Sequence, residues 1–184
     1  VKDRFWVLQL AGMLALAVYS FCLGYLCSGC AGLLPTPPTP SEDDAAPARF
    51  VHVGGNLWRS AQPTAHQLAY LQQRYGIVEV VKLNGIEARE PRLSGIDVID
   101  IPLSVLWTPT PDELDAVVAW IDKGLARGAV LVHCSHGEDR TGLAIAAWQM
   151  RHGVPWRDAL ADMAAHGWHP YAALWRAFAR EAGW

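Results

Sequence analysis

Cys134 and Arg140 bracket the segment Ser135-His136-Gly137-Glu138-Asp139, and the whole run from His133 to Gly142 reads His-Cys-Ser-His-Gly-Glu-Asp-Arg-Thr-Gly. An apolar run, Ala129-Val130-Leu131-Val132, leads into it and an alanine-rich helical pattern leads out. A turn between a strand and a helix gathers backbone N–H groups and the positive end of the helix dipole around one point. An oxyanion held there meets the Arg140 guanidinium, whose planar fork suits two-point contact with phosphate. The same field favours the Cys134 thiolate over the thiol. Nucleophile and phosphate site therefore coincide, and the chemistry they suit is attack of sulfur on phosphorus. Cys134 alone would read as an ordinary buried cysteine. Gly137 at the turn and the helix formers after Thr141 argue for the loop instead.

The segment resembles the HCxxGxxRT signature of the cysteine-dependent protein tyrosine and dual-specificity phosphatase superfamily, and its Asp-Arg-Thr-Gly ending is similar to the bacterial dual-specificity-like branch. Asn56-Leu57-Trp58-Arg59-Ser60-Ala61-Gln62-Pro63 is similar to the LYRSAQP opening of that branch. Gly76–Leu83, Ile101-Pro102-Leu103 and Gly167-Trp168-His169-Pro170 are further echoes, so the resemblance runs over residues 50–184. It implies that Cys134 forms a phosphocysteine intermediate. Arg140 and the loop residues Ser135, His136, Gly137 and Glu138 would bind the phosphate. Thr141 would hydrogen-bond the sulfur, and His133 would orient the loop. No metal and no organic cofactor is implied.

In one respect the chain departs from the family. Relatives carry an aspartate as general acid on a mobile loop upstream of the cysteine, whereas Leu103-Ser104-Val105-Leu106-Trp107-Thr108-Pro109 holds no carboxylate. A leaving oxygen of high pKa needs a proton. Asp139, beside Arg140, and Asp112, just past the loop, are the two substitutes, and each has a structural reading as well. Asp139 could be a loop hydrogen-bonder and Asp112 a first-turn residue favoured by the helix dipole. Arg59 reads either as a brace for the loop or as a surface charge.

Glu138 and Asp139 add negative charge where phosphoinositide-selective relatives carry lysines. That disfavours polyanionic inositol head groups and favours a singly phosphorylated side chain, phosphotyrosine above others. Lys82, Arg89 and Arg92 are basic candidates for lining the cleft. Two rivals stand beside hydrolysis: a catalytically inactive, membrane-tethered phosphoprotein-binding module, and a rhodanese-like sulfurtransferase.

The elements that must position the loop follow from periodicity. Phe50–Val53 and Leu57–Arg59 read as short strands around a Gly54-Gly55-Asn56 turn. Thr64-Ala65-His66-Gln67 is a capping box that opens a helix to about Arg74. Ile77–Leu83, Ile96–Ile101 and Val130–His133 are strand candidates. Pro111–Arg127 is a helix with Leu114, Val117, Val118 and Ile121 on one stripe. Helices follow at 141–152, 156–166 and 171–181, with Trp148, Trp156, Trp168 and Trp175 spaced for core packing. The fold class is α/β, a mainly parallel central sheet flanked by helices, with ligands at the carboxyl ends of the strands.

The chain has 184 residues, a net charge of −3 and seven histidines. That charge gives no electrostatic case for a nucleic-acid partner. His133/His136 and His166/His169 lack the four spaced ligands of a closed zinc site, so no metal is expected. Three of the four cysteines, Cys22, Cys27 and Cys30, lie near the N-terminus. Phe5 to Leu34 is overwhelmingly apolar, and no charge occurs between Phe5 and Ser41. This length exceeds the signal-peptide core of about 7–15 residues and suffices to span a bilayer. Residues 1–34 are therefore expected to be a membrane anchor or signal segment and 35–48 a Pro-rich tether, with 49–184 as the phosphatase-like domain. Lys2 and Arg4 precede the apolar run, which places the domain outside the cytoplasm, in a bacterium the periplasm or outer surface. Cys27-Ser28-Gly29-Cys30 resembles a lipobox, so retained helix, Cys30 lipoprotein and cleaved signal all stand open.

Overall fold

The computed structural model describes residues 46–85, 89–169 and 171–184. The expected anchor (1–34) and most of the expected tether lie outside these residues. Among the described residues no helix is long and apolar enough to cross a membrane.

Five strands form one sheet: β1 (Val51–Gly54), β2 (Leu57–Ser60), β3 (Ile77–Lys82), β4 (Asp97–Asp100) and β5 (Ala129–His133). Their spatial order is β1-β2-β5-β3-β4. The β1–β2 hairpin is antiparallel and the other three pairings are parallel, so the expected mainly parallel sheet is a mixed one. The hairpin is the reason: strands joined by so short a turn can only run antiparallel.

β5 lies in the middle of the sheet and is buried along its whole length. Its side chains alternate between faces, as strand geometry requires. Val130 and Val132 join one hydrophobic cluster with Leu57, Leu114, Leu143 and Phe178. Ala129 and Leu131 join the other, with Leu68, Leu71 and Ile77. A register irregularity between Ile77 and Glu79 turns Ile77 and Val80 toward the same cluster, despite their odd spacing.

Helix α1 (Ala65–Tyr75) covers the second cluster. Thr64 and Gln67 make both capping-box bonds at its start, and Gly76, at φ +69°, ends it. Helix α2 (Pro111–Leu125) has its own complete box from Thr110 and Glu113. With α3 (Asp139–Arg151), α4 (Trp156–Ala165) and α5 (Ala172–Glu181) it closes the first cluster. Trp148, Trp168 and Trp175 are partly buried against that cluster, as expected. Trp184 is 58% exposed, yet its ring packs edge-on at 4.6 Å against Trp156.

The register sets out the site. Ser60 pairs with His133, His133 with Lys82 and Lys82 with Asp100. Four parallel strands thus end abreast, and whatever follows each of them lands on one edge of the sheet: Ala61-Gln62, Cys134, Leu83-Asn84 and Ile101-Pro102.

Candidate active site

Cys134 follows β5 directly and is 2% exposed. Its Sγ accepts a hydrogen bond from the Gly137 N–H at 3.3 Å. Helix α3 starts at Asp139, two residues ahead of its expected start, so Arg140 and Thr141 belong to its first turn. Glu138 precedes it and makes no side-chain cap.

Three successive loop carbonyls, of Ser135, His136 and Gly137, accept hydrogen bonds from outside the loop. The Cys134 carbonyl lies 3.3 Å from His133 Nδ1, and the Ser135 carbonyl accepts from the Gln62 N–H at 3.3 Å. The His136 carbonyl accepts from Arg49 Nη1 at 3.5 Å and the Gly137 carbonyl from Arg59 Nη2 at 2.9 Å. Carbonyls drawn outward leave the peptide N–H groups to face inward, the arrangement an anion cradle requires. Gly137, at φ +75°, has no space for a side chain: a Cβ there would lie 2.5 Å from the Ser60 carbonyl group. Only glycine lets the loop rest on the end of β2.

Arg59 is 1% exposed and lies 3.4 Å from Asp162 of α4. Burial draws its guanidinium below the ordinary value, while Asp162 and the Cys134 sulfur pull it back up. Of its two sequence readings, the brace is the one the structure carries. His133 is fully buried and its Nε2 lies 3.1 Å from Glu90 Oε2, so it too is tied into the loop's surroundings. Glu90 also accepts from Gln62 Nε2, and Gln62 Oε1 accepts from Asn84 Nδ2 at 2.9 Å. Asn84 and Arg140 Nη2 both donate to Ser135 Oγ, at 3.3 and 3.2 Å. A polar chain therefore runs from Glu90 through Gln62 and Asn84 to the arginine of the loop.

The remaining candidates divide. Thr141 is fully buried, but its Oγ1 makes no hydrogen bond among the described residues, so the expected bond to sulfur is absent; the Gly137 N–H takes that place. His136 is exposed on the rim. Glu138 is not spread toward a ligand: its carboxylate is ion-paired with Arg49 and packs under Gly167. Asp139 Oδ1 accepts from the His169 N–H at 2.7 Å. The negative charge read into the loop is thus largely engaged by its neighbours. Asp112 is exposed in the first turn of α2. His166 and His169 part company, the former bonding the Asp162 carbonyl at 2.7 Å and the latter lying beside Asp139. Gln62, Asn84, Glu90, Asp162 and Arg49 are the functional partners that sequence reasoning left unassigned. Only Gln62 carried a signal, its place in the Ser-Ala-Gln-Pro block.

A cavity of about 380 Å³ opens beside Arg140, walled by Asn84, Asp100, Pro102, Leu103 and Ser104. Residues 53–154 match the family described as "Polymorphic toxin system, DSP-PTPase phosphatase". The chain belongs to that family. No curated protein matches it by sequence. Among solved structures, Tk-PTP in its active form superposes with a TM-score of 0.64 at 21% identity, covering 73% of this chain and 97% of that one. Human DUSP28 gives 0.63 at 21% identity, covering 74% and 96%. These two likenesses concern the fold. TpbA of P. aeruginosa gives 0.61 at 25% identity, covering 74% of this chain and 85% of its own. A phosphatase family and a phosphatase fold thus meet at the loop that carries Cys134.

Proposed function

We propose that the chain is a phosphomonoester hydrolase acting through Cys134, with protein phosphotyrosine as its favoured substrate. The observation that carries this reading is the outward capture of three loop carbonyls around a sulfur that already accepts an amide hydrogen bond. In the first step sulfur attacks phosphorus, an S–P bond forms and the P–O bond to the side chain breaks. The loop N–H groups and Arg140 stabilise the charge on the three equatorial oxygens. Water then attacks the phosphocysteine, the S–P bond breaks and inorganic phosphate leaves. The apolar wall of Pro102 and Leu103 beside Arg140 suits an aromatic leaving group.

Asp139 and Asp112 compete for the role of general acid. For location we propose that residues 1–34 hold the domain at a membrane, outside the cytoplasm.

The test is p-nitrophenyl phosphate hydrolysis by the full chain and by Cys134→Ser. Turnover that vanishes in the variant is expected; no turnover by folded wild type under reducing conditions would overturn the reading in favour of a phosphate-binding module. Repeating the assay with phenyl phosphate, a poorer leaving group, identifies the acid. Asp139→Asn or Asp112→Asn, whichever removes it, loses proportionally more activity on the poorer substrate.

A further inference from the structure

Ser104 stands in the wall of the cavity beside Arg140, in the stretch between β4 and α2 that holds no carboxylate. Its Oγ accepts from the N–H groups of both Leu106 and Trp107, each at 3.0 Å. A hydroxyl has two lone pairs and one proton, so these two bonds leave it only the O–H to offer. Among the described residues that O–H meets no acceptor. The other polar side chains of the wall are engaged. Asp100 lies 3.2 Å from Lys82 Nζ, Asn84 Nδ2 donates to Gln62 and Ser135, and Arg140 Nη2 donates to Ser135 Oγ. The stretch is tied down at both ends: the Leu103 N–H donates to the Leu83 carbonyl at 3.0 Å, and Arg180 Nη2 donates to the Pro109 carbonyl at 2.8 Å. Accepting two amide bonds also polarises the hydroxyl and strengthens it as a donor.

We propose that Ser104 is a catalytic hydrogen-bond donor to the leaving oxygen of the phosphate ester. The inference rests on the hydrolase reading and gives its first step a residue. As the Cys134 sulfur attacks, the electron pair of the P–O bond passes to the ester oxygen. The Ser104 O–H stabilises the charge that builds there and keeps its own proton, since a serine hydroxyl is no acid at neutral pH. The freed oxyanion takes its proton from a carboxyl group or from water. With both lone pairs engaged, Ser104 cannot receive a proton from the water that attacks phosphocysteine, so it serves the first step alone. A proton shared rather than transferred favours aryl over alkyl esters, because a phenolate can leave with a hydrogen bond where an alkoxide needs the whole proton.

The test compares kcat/KM, which reports the first step, for the full chain and for Ser104→Ala, Ser104→Thr and Ser104→Asp. The substrates are p-nitrophenyl phosphate and phenyl phosphate, each over a pH series. Ser104→Ala is expected to lose about 10- to 100-fold on phenyl phosphate, the worth of a hydrogen bond to a charged group. On p-nitrophenyl phosphate, whose leaving oxygen is less basic, it loses only about threefold. Ser104→Thr keeps the hydroxyl and stays within about threefold of wild type on both. Ser104→Asp keeps an acceptor for the two amides and adds an acidic proton. It should therefore exceed Ser104→Ala on phenyl phosphate at acid pH, and that gain should fade as pH rises through the ordinary carboxyl range. A Ser104→Ala loss that is absent, or equal on the two substrates, would overturn the proposal, because the hydroxyl then only shapes its loop. A wild-type chain that turns over neither substrate sinks the hydrolase reading and this step with it. An active chain whose dependence on the leaving group is unchanged by Ser104→Ala sinks the donor alone.

Discussion

Replacing Arg59 by Met should cost more in catalysis than in stability. The guanidinium donates to the Gly137 carbonyl at 2.9 Å in a fully buried setting, and a hydrogen bond to a charged group there is worth about 1.5–3 kcal/mol. Its pair with Asp162 spans 3.4 Å, and Asp162 is 29% exposed, so that contact adds at most about 1 kcal/mol after solvent screening. Against these losses, Met removes the cost of burying a charge, the same cost that lowers the guanidinium's pKa. The net destabilisation is therefore about 1–2 kcal/mol, a fall of roughly 3–6 °C in melting temperature for a domain of this size. The catalytic effect is separate. With its carbonyl released, the peptide at Gly137 is free to rotate, and the inward alignment of neighbouring N–H groups is lost. Removing one aligned oxyanion donor costs about 100-fold or more in other hydrolases. Misaligning one without deleting it should lower kcat/KM about 10- to 100-fold. The assay is p-nitrophenyl phosphate turnover well below the melting transition, with vanadate inhibition as a second measure of the cradle. Arg59→Lys, which can keep one donor but not the fork, should fall between. A folded Arg59→Met chain with kcat/KM within twofold of wild type, and unchanged vanadate affinity, would show that the brace is structural only.

Two further outcomes follow from the same geometry. Gly137→Ala would set a Cβ 2.5 Å from the Ser60 backbone at a left-handed φ, so the loop must lift off β2; melting should fall by several degrees, consistent with overpacking costs of about 1–3 kcal/mol, and turnover by more than tenfold. Glu79, buried at the opposite end of β3 beside Arg127 and Asp97, has its carboxyl raised above the ordinary value, first by burial and further by Asp97, with Arg127 and Lys123 opposing. The folded chain then holds this proton more tightly than the unfolded chain, so its stabilising contribution is complete below the ordinary carboxyl range and fades as pH rises through the raised value. Glu79→Gln should therefore gain on wild type in melting temperature from pH 4 to pH 7, and a difference that is constant or shrinks with pH would refute the assignment.

The parts of the molecule that could be read from sequence are those fixed by near neighbours. The capping boxes at Thr64 and Thr110 formed as read because each is closed within one turn of its own helix. The alternation of β5 gave both of its faces. Helix α3 starts ahead of its expected position because Asp139 and Arg140, which look like loop chemistry, are at once loop and first helical turn. Glu138 departs from its expected role for a different reason: its counter-charge, Arg49, is remote in sequence and adjacent only once the chain has folded. The same applies to the loop carbonyls. Their partners at Arg49, Arg59 and Gln62 come from the other end of the domain, and no local periodicity points to them. Thr141 shows the opposite error, a role carried over from resemblance that the geometry gives to a backbone amide.

Arg49 adopts φ +55°, a left-handed conformation uncommon for a residue with a side chain. It immediately follows Ala48, whose carbonyl accepts from the Ala61 N–H at 2.8 Å, while the Ala46 carbonyl accepts from Gln67 Nε2 at 3.3 Å. The change in composition after residue 48 suggests that the working part begins there, but the stitching begins at Ala46. Anyone trimming the chain to an excised domain at Val51 would discard the prop of the His136 carbonyl and the counter-ion of Glu138 together. A protease cutting at the same place would do likewise. The short segment ahead of β1 is therefore also part of the wall of the Cys134 loop.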